Sequence, residues 1–402
     1  MPNFTRRTIA LASLAMLTTA LAPKDRAFAQ KKYGPGVSDT EIKVGQTIAY
    51  SGPASAYGQI GIAETAYFKM INDRGGINGR KINFISIDDA YSPPKAVEQT
   101  RRLVEQDEVA VMFGMLGTPL NLATRTYLNI KKVPQLFVAA GSEQFANPEK
   151  FPWTIGFQPT LRFEGTFFGK QILAANPEPK IGVLYQFDDF GKELLAGLND
   201  GLGTKAASIL ATESFTPSDP TIDSQIVKMK SAGADTILLF CYAKQAAQAI
   251  RKIHELNWKP DIYLHSGATS VSATLVPAGL DISVGIKAAR YSKDSSDPQW
   301  LEDPELKSFY QWLKEYLPNA NPADTFYLSG WTYGQMLVEV LRRCGDDLTR
   351  ENIMRQATSL KDFRNTALLP GSLINTSPTD YRVVKYMRLE RFNGKTWEST
   401  GT

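Results

Sequence analysis

The chain has 402 residues, 43% of them hydrophobic, so we expect two domains, or three, around a sizeable apolar core. Two Cys and two His exclude a disulfide scaffold and a zinc-finger array, and they leave little room for a multi-His metal site. The balance of 45 basic to 41 acidic residues gives a net charge of +4. A nucleic-acid-binding protein carries a larger basic surplus, so we expect neither a nucleic-acid partner nor a bound metal.

The N-terminus has the features of a cleaved export signal. Arg6 and Arg7 precede an apolar run at residues 9–22, which is shorter than a bilayer-spanning helix needs. The small residues Ala27 and Ala29 indicate cleavage after Ala29. The paired arginines also fit a twin-arginine signal, so the export route stays open. The remaining chain has a net charge of +1, and we expect it to be exported and soluble.

Strands and helices alternate through the first part of the chain. We predict strands at residues 42–49, 82–87, 109–113 and 133–139, with helices at 60–71, 94–108 and 120–130 between them. This alternation is typical of a parallel sheet with helices on both faces.

The alternation then restarts, which predicts a second α/β lobe. We predict helices at 162–175, from after 191 to 202, and at 245–256, with strands at 180–185, 236–241 and 262–265 and a loop at 188–191. Residues 304–361 are mostly helical, with breaks at Pro318 and Pro322. The tail at 382–392 alternates apolar and polar residues, and Asn393-Gly394 predicts a hairpin with a strand at 395–398.

Motifs of common enzyme classes are missing. The sequence has no phosphate-binding G-x-x-x-x-G-K-[ST] loop, no dinucleotide-binding G-x-G-x-x-G and no G-x-S-x-G nucleophile elbow. Cys241 and Cys344 fit buried small residues better than catalytic thiols. The acidic pairs at 88–89 and 188–189 fit helix caps or solvated carboxylates. We therefore expect a protein that is not an enzyme and has no cofactor.

Three loops at predicted strand ends are small, polar and aromatic, at residues 50–58, 114–119 and 139–142. In a doubly wound sheet, ligands bind outside the carboxyl ends of the strands. Glycines let backbone N–H groups approach a ligand, and helix N-termini favour a carboxylate. Thr118 and Ser142 could add hydroxyl donors. Ordinary turn chemistry explains one such loop, whereas three in succession favour an anion-recognising cleft.

An ordered set of short motifs carries a family resemblance. The segments are IKVG at 42–45, SGP at 51–53 with YG at 57–58, IN at 71–72 with GGING at 75–79, DD at 88–89 with Pro94 and AV at 96–97, DFG at 189–191, and WTY at 331–333. Over residues 41–398 the chain resembles the leucine/isoleucine/valine-binding proteins. These are the periplasmic solute receptors of branched-chain amino-acid ABC importers.

The resemblance implies an α/β fold of the type I periplasmic binding class, with two lobes that close on one ligand and a doubly wound parallel sheet in each lobe. It implies three crossovers, near residues 156–159, 288–291 and 379–382. It implies a signal peptide at 1–29, a first lobe at 38–157 and 291–379, and a second lobe at 158–290 and 380–402. It also implies a periplasmic monomer whose closed form docks on an inner-membrane permease.

Site residues follow from the resemblance position by position. The carboxylate-binding hydroxyl falls on Thr118, and the backbone donors and acceptors fall on Ala139, Ala140 and Gly141, with Ser142 beside them. The pocket aromatics fall on Tyr57, Phe190, Tyr242 and, with a one-residue ambiguity, Tyr327.

The sequence departs from the family at three places. Gly141 stands where a threonine is usual, and Tyr91 and Gly117 stand near the positions of a first-lobe disulfide. The acid that pairs with a ligand ammonium belongs in residues 266–270, which contain no carboxylate. A buried ammonium without a counter-charge costs several kcal/mol.

We therefore expect a receptor for a small carboxylate with an apolar or aromatic body, and an aromatic acid in particular. If Asp188, Asp189 or another acid supplies the missing charge, the protein is a branched-chain or hydrophobic amino-acid or amide receptor. A ligand-sensing subunit on the same fold is a further alternative. An exported hydrolase lacks a matched nucleophile and base, and a cytoplasmic repressor conflicts with the export signal.

Overall fold

The structure is a computed structural model, and it describes residues 31–401. The predicted export signal lies outside these residues. The first sheet of the described chain has five parallel strands in the order β3-β2-β4-β5-β6. They are β2 (Glu41–Ile48), β3 (Lys81–Asp88), β4 (Val111–Phe113), β5 (Gln135–Val138) and β6 (Thr154–Gly156), and β1 (Lys32–Tyr33) pairs separately with β12 (Asp347–Leu348).

The second large sheet has seven strands in the order β14-β13-β11-β10-β9-β7-β8 across the described residues. They are β7 (Ile181–Gln186), β8 (Ile209–Phe215), β9 (Thr236–Phe240), β10 (Asp261–Leu264), β11 (Lys287–Arg290), β13 (Arg388–Phe392) and β14 (Trp397–Ser399). Strands β7 to β11 are parallel to one another, and β13 and β14 add an antiparallel edge next to β11. Each large sheet forms the centre of one lobe.

Helices connect and cover the strands. They are α1 (Gly58–Asp73), α2 (Pro93–Glu105), α3 (Thr118–Ile130), α4 (Leu161–Ala175), α5 (Asp189–Leu202), α6 (Asp223–Ser231), α7 (Ala243–Glu255), α8 (Val276–Ala278), α9 (Pro304–Tyr316), α10 (Thr325–Cys344) and α11 (Arg350–Ala357). Several begin at side chains that accept a bond from a free backbone N–H of the first turn, among them Thr160, Asp188 and Asp303. Within residues 31–401, no helix is both long and apolar enough to cross a bilayer.

The chain passes between the two sheets at three places: between β6 and α4, after β11, and before β13. Helices α9 and α10 pack on α1 and so return to the first lobe. The two-lobed α/β architecture with three crossovers therefore agrees with the sequence-based prediction. Because parallel strands end at the same edge of their sheet, the strand-end loops of the two lobes face one cleft.

Most predicted strands and helices are present within a few residues of their predicted ends. The sequence reading missed β8, α6 and the pairing of β1 with β12. The predicted loop at 188–191 is wrong, because Asp188 caps α5 by accepting the Gly191 N–H and the helix begins at Asp189. Cys241 and Cys344 are free, buried thiols, as predicted.

Candidate functional site

The two lobes meet across the cleft at Tyr57, in the loop that follows β2. The Tyr57 hydroxyl donates to the carbonyl oxygen of Gly267 at 2.9 Å and accepts the Ala243 N–H at 3.2 Å. Both partners follow strands of the second lobe. Burial raises the pKa of Tyr57 well above its ordinary value, so the hydroxyl keeps its proton and can donate.

Aromatic rings form a continuous cluster in the cleft. Tyr242 stacks on Phe190 with ring centroids 4.9 Å apart and planes 7° from parallel. Tyr57 contacts Tyr242 at 5.0 Å and Phe326 at 4.4 Å. Tyr91 meets Tyr242 edge-on at 5.7 Å. Three of the predicted pocket aromatics, Tyr57, Phe190 and Tyr242, therefore come together and pack on one another.

A cavity of about 80 Å³ lies beside this cluster. An apolar cavity of roughly 150 Å³ accommodates a benzene ring, so the enclosed space in this arrangement is small. Of the predicted site residues, Tyr57, Ala139 and Tyr242 line it, whereas Thr118, Ala140, Gly141, Ser142, Phe190 and Tyr327 do not. The lining also includes polar residues that the sequence reading missed, among them Gln158, His265, Ser270, Arg290 and Tyr333.

Thr118 begins α3 and is fully buried. Its hydroxyl Oγ1 has no hydrogen-bond partner in residues 31–401, although buried hydroxyls normally have one. Gly117 precedes it at φ 89°, and a Cβ at Gly117 would lie 2.8 Å from the Tyr91 ring. The Tyr91 ring therefore packs against the turn that precedes Thr118.

The loop after β5 is largely engaged within the protein. The carbonyl of Gly141 accepts the Leu161 N–H at 2.6 Å, and a Cβ at Gly141 would lie 2.4 Å from the carbonyl oxygen of Pro159. The Ser142 hydroxyl accepts the Gln144 N–H. Across the cleft, the Glu193 carboxylate accepts the Glu143 N–H. The backbone donor at Glu143 therefore already binds a carboxylate of the second lobe.

Of the two neighbouring candidates for the late pocket aromatic, Phe326 lines the cavity and Tyr327 does not. Phe326 is buried against Tyr57 and lines the cavity, whereas Tyr327 is only partly buried. Successive residues of a helix point about 100° apart, so a shift of one residue moves a ring off the cavity face. The helical spacing of Phe326, Ser329 and Tyr333, all in the lining, is the sequence signal for the face of this helix that borders the cavity.

A hydrogen-bonded cluster stands where the resemblance places an acid. Nδ1 of His265 lies 3.0 Å from Oε1 of Glu164, and both residues are buried. The same carboxylate accepts the Ser266 N–H at 2.7 Å and the Ser266 hydroxyl at 2.8 Å. Glu164 comes from α4, about a hundred residues earlier in the chain, and sequence reading missed it for that reason.

The charged residues of the cavity lining are basic. Arg290 pairs with Glu390 at 2.8 Å, and Lys293 pairs with Asp303 and Glu305, each at 2.8 Å. Among the described residues that line the cavity, none is Asp or Glu.

The two acids that the sequence offers as substitutes, Asp188 and Asp189, are absent from the lining. Asp188 instead caps α5, and it hydrogen-bonds the Gln186 side chain.

Comparison with known protein families gives one extended match. The family model described as periplasmic binding protein matches residues 41–396. The Leu/Ile/Val-binding protein homolog 7 of Brucella abortus is 21% identical over 326 residues, which are 77% of this chain and 79% of that protein. The Leu/Ile/Val-binding protein of Escherichia coli K12 is 23% identical over 240 residues, 58% of this chain and 63% of that one.

Solved structures share the fold. A branched-chain amino acid ABC transporter protein of Thermus thermophilus with bound valine has a TM-score of 0.79 at 15% identity, covering 90% of this chain and 96% of that one. A fatty acid ABC transporter substrate-binding protein of Thermomonospora curvata has a TM-score of 0.78 at 21% identity, covering 92% and 94%. The likeness confirms the two-lobed fold that the sequence predicts.

Proposed function

Because the chain belongs to the periplasmic binding protein family, we propose that it is the receptor of a branched-chain amino-acid-type ABC importer and that it captures a small carboxylate with an apolar or aromatic body. The observation that carries the ligand class is the composition of the cavity lining, in which residues 31–401 place Arg290 and Lys293 and no Asp or Glu. An uncompensated ammonium in such a place would cost several kcal/mol. A ligand with a carboxylate and no ammonium avoids that cost.

The Thr118 hydroxyl supports the carboxylate assignment from the first lobe. It is buried at the N-terminus of α3 and has no partner among the described residues. Helix N-termini favour anions, and a carboxylate there would also satisfy the hydroxyl. Ala139 lines the cavity on the first-lobe side of the proposed site. The resemblance also assigns Ala140, Gly141 and Ser142 to the site, although polar groups of this loop bond within the protein.

The aromatic cluster supports an aromatic acid. Phe190 and Tyr242 form a stacked pair, and Tyr57 contacts the Tyr242 ring edge-on. Aromatic rings prefer these stacked and edge-on arrangements, so the cluster offers ring surfaces that suit an aromatic ligand. Since the enclosed cavity is only about 80 Å³, a ligand ring has to displace one of these rings or part the lobes slightly. Tyr57, which holds the lobes together by two hydrogen bonds, is the residue that has to move.

We propose that the first lobe comprises residues 38–157 and 291–379, and the second lobe residues 158–290 and 380–402, as the resemblance implies.

We also propose that the protein is exported by a signal peptide cleaved after Ala29 and works as a monomer in the periplasm. It delivers its ligand to an inner-membrane permease and has no nucleic-acid partner. N-terminal sequencing of the exported protein should therefore begin at Gln30, and a start well away from it contradicts the cleavage site.

Matched ligand pairs test the ligand class. The melting temperature of the purified protein is measured with leucine against 4-methylpentanoate, and with phenylalanine against 3-phenylpropanoate. A ligand at 100 times its Kd stabilises the folded state by about 2.7 kcal/mol, which gives a visible shift. We expect the acids without an amino group to raise the melting temperature more. If only the amino acids do so, the protein is an amino-acid receptor, as the names of its curated relatives suggest.

A further inference from the structure

A buried histidine lines the cavity and has no part in the carboxylate site proposed above. His265 follows β10, is 2% exposed and packs edge-on against Phe190, with ring centroids 4.9 Å apart. Its Nδ1 atom lies 3.0 Å from Oε1 of Glu164. One edge of the imidazole is therefore held by the protein, and the other edge carries Nε2.

Glu164 decides which nitrogen holds the proton. Its Oε1 accepts the Ser266 N–H at 2.7 Å, and its Oε2 accepts the Ser266 hydroxyl at 2.8 Å. A carboxylate that accepts bonds at both oxygens also accepts from the imidazole, so Nδ1–H of His265 donates to Oε1. In the tautomer that has its proton on Nδ1, the lone pair lies on Nε2.

Nε2 is left without a protein partner. Throughout residues 31–401, no group forms a hydrogen bond with it. Gly267, two residues after His265, leaves this edge of the ring open because it has no side chain: a Cβ at Gly267 would lie 2.7 Å from Nε2. Gly267 and His265 both line the cavity, so the free lone pair borders the space that a ligand enters.

We propose that His265 is a specificity-determining residue, whose Nε2 accepts a hydrogen bond from a hydroxyl group of the ligand. The inference rests on the proposed function and narrows it: the preferred ligand is a hydroxy acid with an apolar or aromatic body. Glu164 is the positioning residue that fixes the tautomer. Its two oxygens are already engaged, so it does not itself reach the ligand.

The tautomer is tested first, without any ligand. The chain has only two histidines, so a long-range ¹H–¹⁵N spectrum of ¹⁵N-labelled protein at pH 8 contains two imidazoles. The exposed His254 is assigned by the variant His254→Gln, which also serves as the matched control. We expect His265 to show a protonated Nδ1 and an unprotonated Nε2. A protonated Nε2 overturns the proposal.

Ligand binding is tested with pairs that differ in one hydroxyl. Affinities are measured for 2-hydroxy-4-methylpentanoate against 4-methylpentanoate, and for 3-(4-hydroxyphenyl)propanoate against 3-phenylpropanoate. One hydrogen bond to a buried acceptor corresponds to about a tenfold preference, so we expect at least one hydroxy acid to bind about tenfold more tightly than its parent. His265→Phe keeps an aromatic ring and removes both nitrogens, so the ratio of the two affinities should fall to about one.

The outcomes separate this inference from the proposed function. If acids bind but neither hydroxyl improves affinity, or if the preference survives in His265→Phe, the role of His265 is wrong and the carboxylate site stands. If only leucine or phenylalanine binds, the proposed ligand class is wrong. The preference for a hydroxy acid is then wrong as well. If His265→Phe does not fold, the Nε2 resonance of the wild-type protein is compared in the presence of each hydroxy acid and of its parent acid. A shift that only a hydroxy acid produces supports the role of His265, and the lack of such a shift refutes it.

Discussion

The two faces of the cleft satisfy their polar groups in different ways. In the first lobe, Thr118 presents a buried hydroxyl with no partner in the described chain. In the second lobe, His265 and Ser266 are tied by three hydrogen bonds to Glu164. The first face leaves a donor for a ligand, and the second is a pre-organised network with one free acceptor.

This difference decides where substitutions should act. A network of buried polar groups stabilises the fold when every member is satisfied, and removing one member leaves the others without partners. An unpaired hydroxyl contributes nothing to stability and gains a role only when a ligand is bound. Damage to the second face should therefore lower stability, whereas damage at Thr118 should lower affinity.

The largest effect is expected from Glu164→Ala. It removes three hydrogen bonds to a buried carboxylate, and we expect the free energy of unfolding to fall by about 3–4 kcal/mol. Chemical denaturation measures the change. Glu178→Ala is the control, because its side chain is 78% exposed and its removal should cost less than about 0.5 kcal/mol. A loss below 1 kcal/mol for Glu164→Ala would show that the second face is not held by this network.

On the first face, Gly141→Ala should destabilise the fold by about 2 kcal/mol, because the new methyl would lie 2.4 Å from the Pro159 carbonyl oxygen. Gly34→Ala is the matched control, since the nearest atoms to its added Cβ lie at 3.4 Å, an ordinary contact. Thermal unfolding of the two variants gives the comparison. Equal melting temperatures would mean that the backbone of the loop after β5 yields to the added methyl.

Thr118→Val separates binding from stability. We expect carboxylate affinity to fall by about 1–3 kcal/mol, because the ligand loses a buried donor, while the melting temperature stays the same or rises. Thr124→Val is the control in the same helix: its hydroxyl bonds the Leu120 and Asn121 carbonyls, so it should lose stability and keep its affinity. Calorimetry that finds unchanged affinity in Thr118→Val would place the carboxylate elsewhere.

The smallest effect concerns Glu193, which joins the two faces at the Glu143 N–H. Burial raises the pKa of Glu193 to about 7, so the folded protein holds a proton that the unfolded chain releases at lower pH. Stability from this group is therefore greatest in acid and is lost as pH rises from about 4.5 to 7. Relative to Glu193→Gln, the wild type should lose about 1 kcal/mol between pH 5 and 8, after allowance for partial exposure.

Denaturation curves of the wild type and Glu193→Gln at both pH values test this prediction. The pKa of Asp89, which burial raises to about 6, affects both proteins equally and cancels in the comparison. A difference that does not change with pH would mean that Glu193 is ionised in the folded protein.

Much of the fold could be predicted from the sequence because strands and helices depend on patterns of neighbouring residues. The alternating strands and helices around β2, α1 and β3 follow from the spacing of apolar residues and from glycines at their ends. The loop before Tyr57 and the turn before Thr118 were recognised as candidate ligand loops for the same reason. The face of α10 that borders the cavity was left with a one-residue ambiguity, and the structure places Phe326 in the lining and not Tyr327.

The sequence by itself determined the two α/β lobes, the strand-end loops of the first lobe and the absence of an acid in residues 266–270, and the family resemblance added the three crossovers. Only the tertiary structure decided that Glu164 from α4 reaches Ser266, that Phe190, Tyr242 and Tyr57 pack on one another, and that no group of residues 31–401 bonds Nε2 of His265. Elements are set by patterns within a few residues of the chain, whereas hydrogen bonds between residues a hundred positions apart depend on how the helices pack.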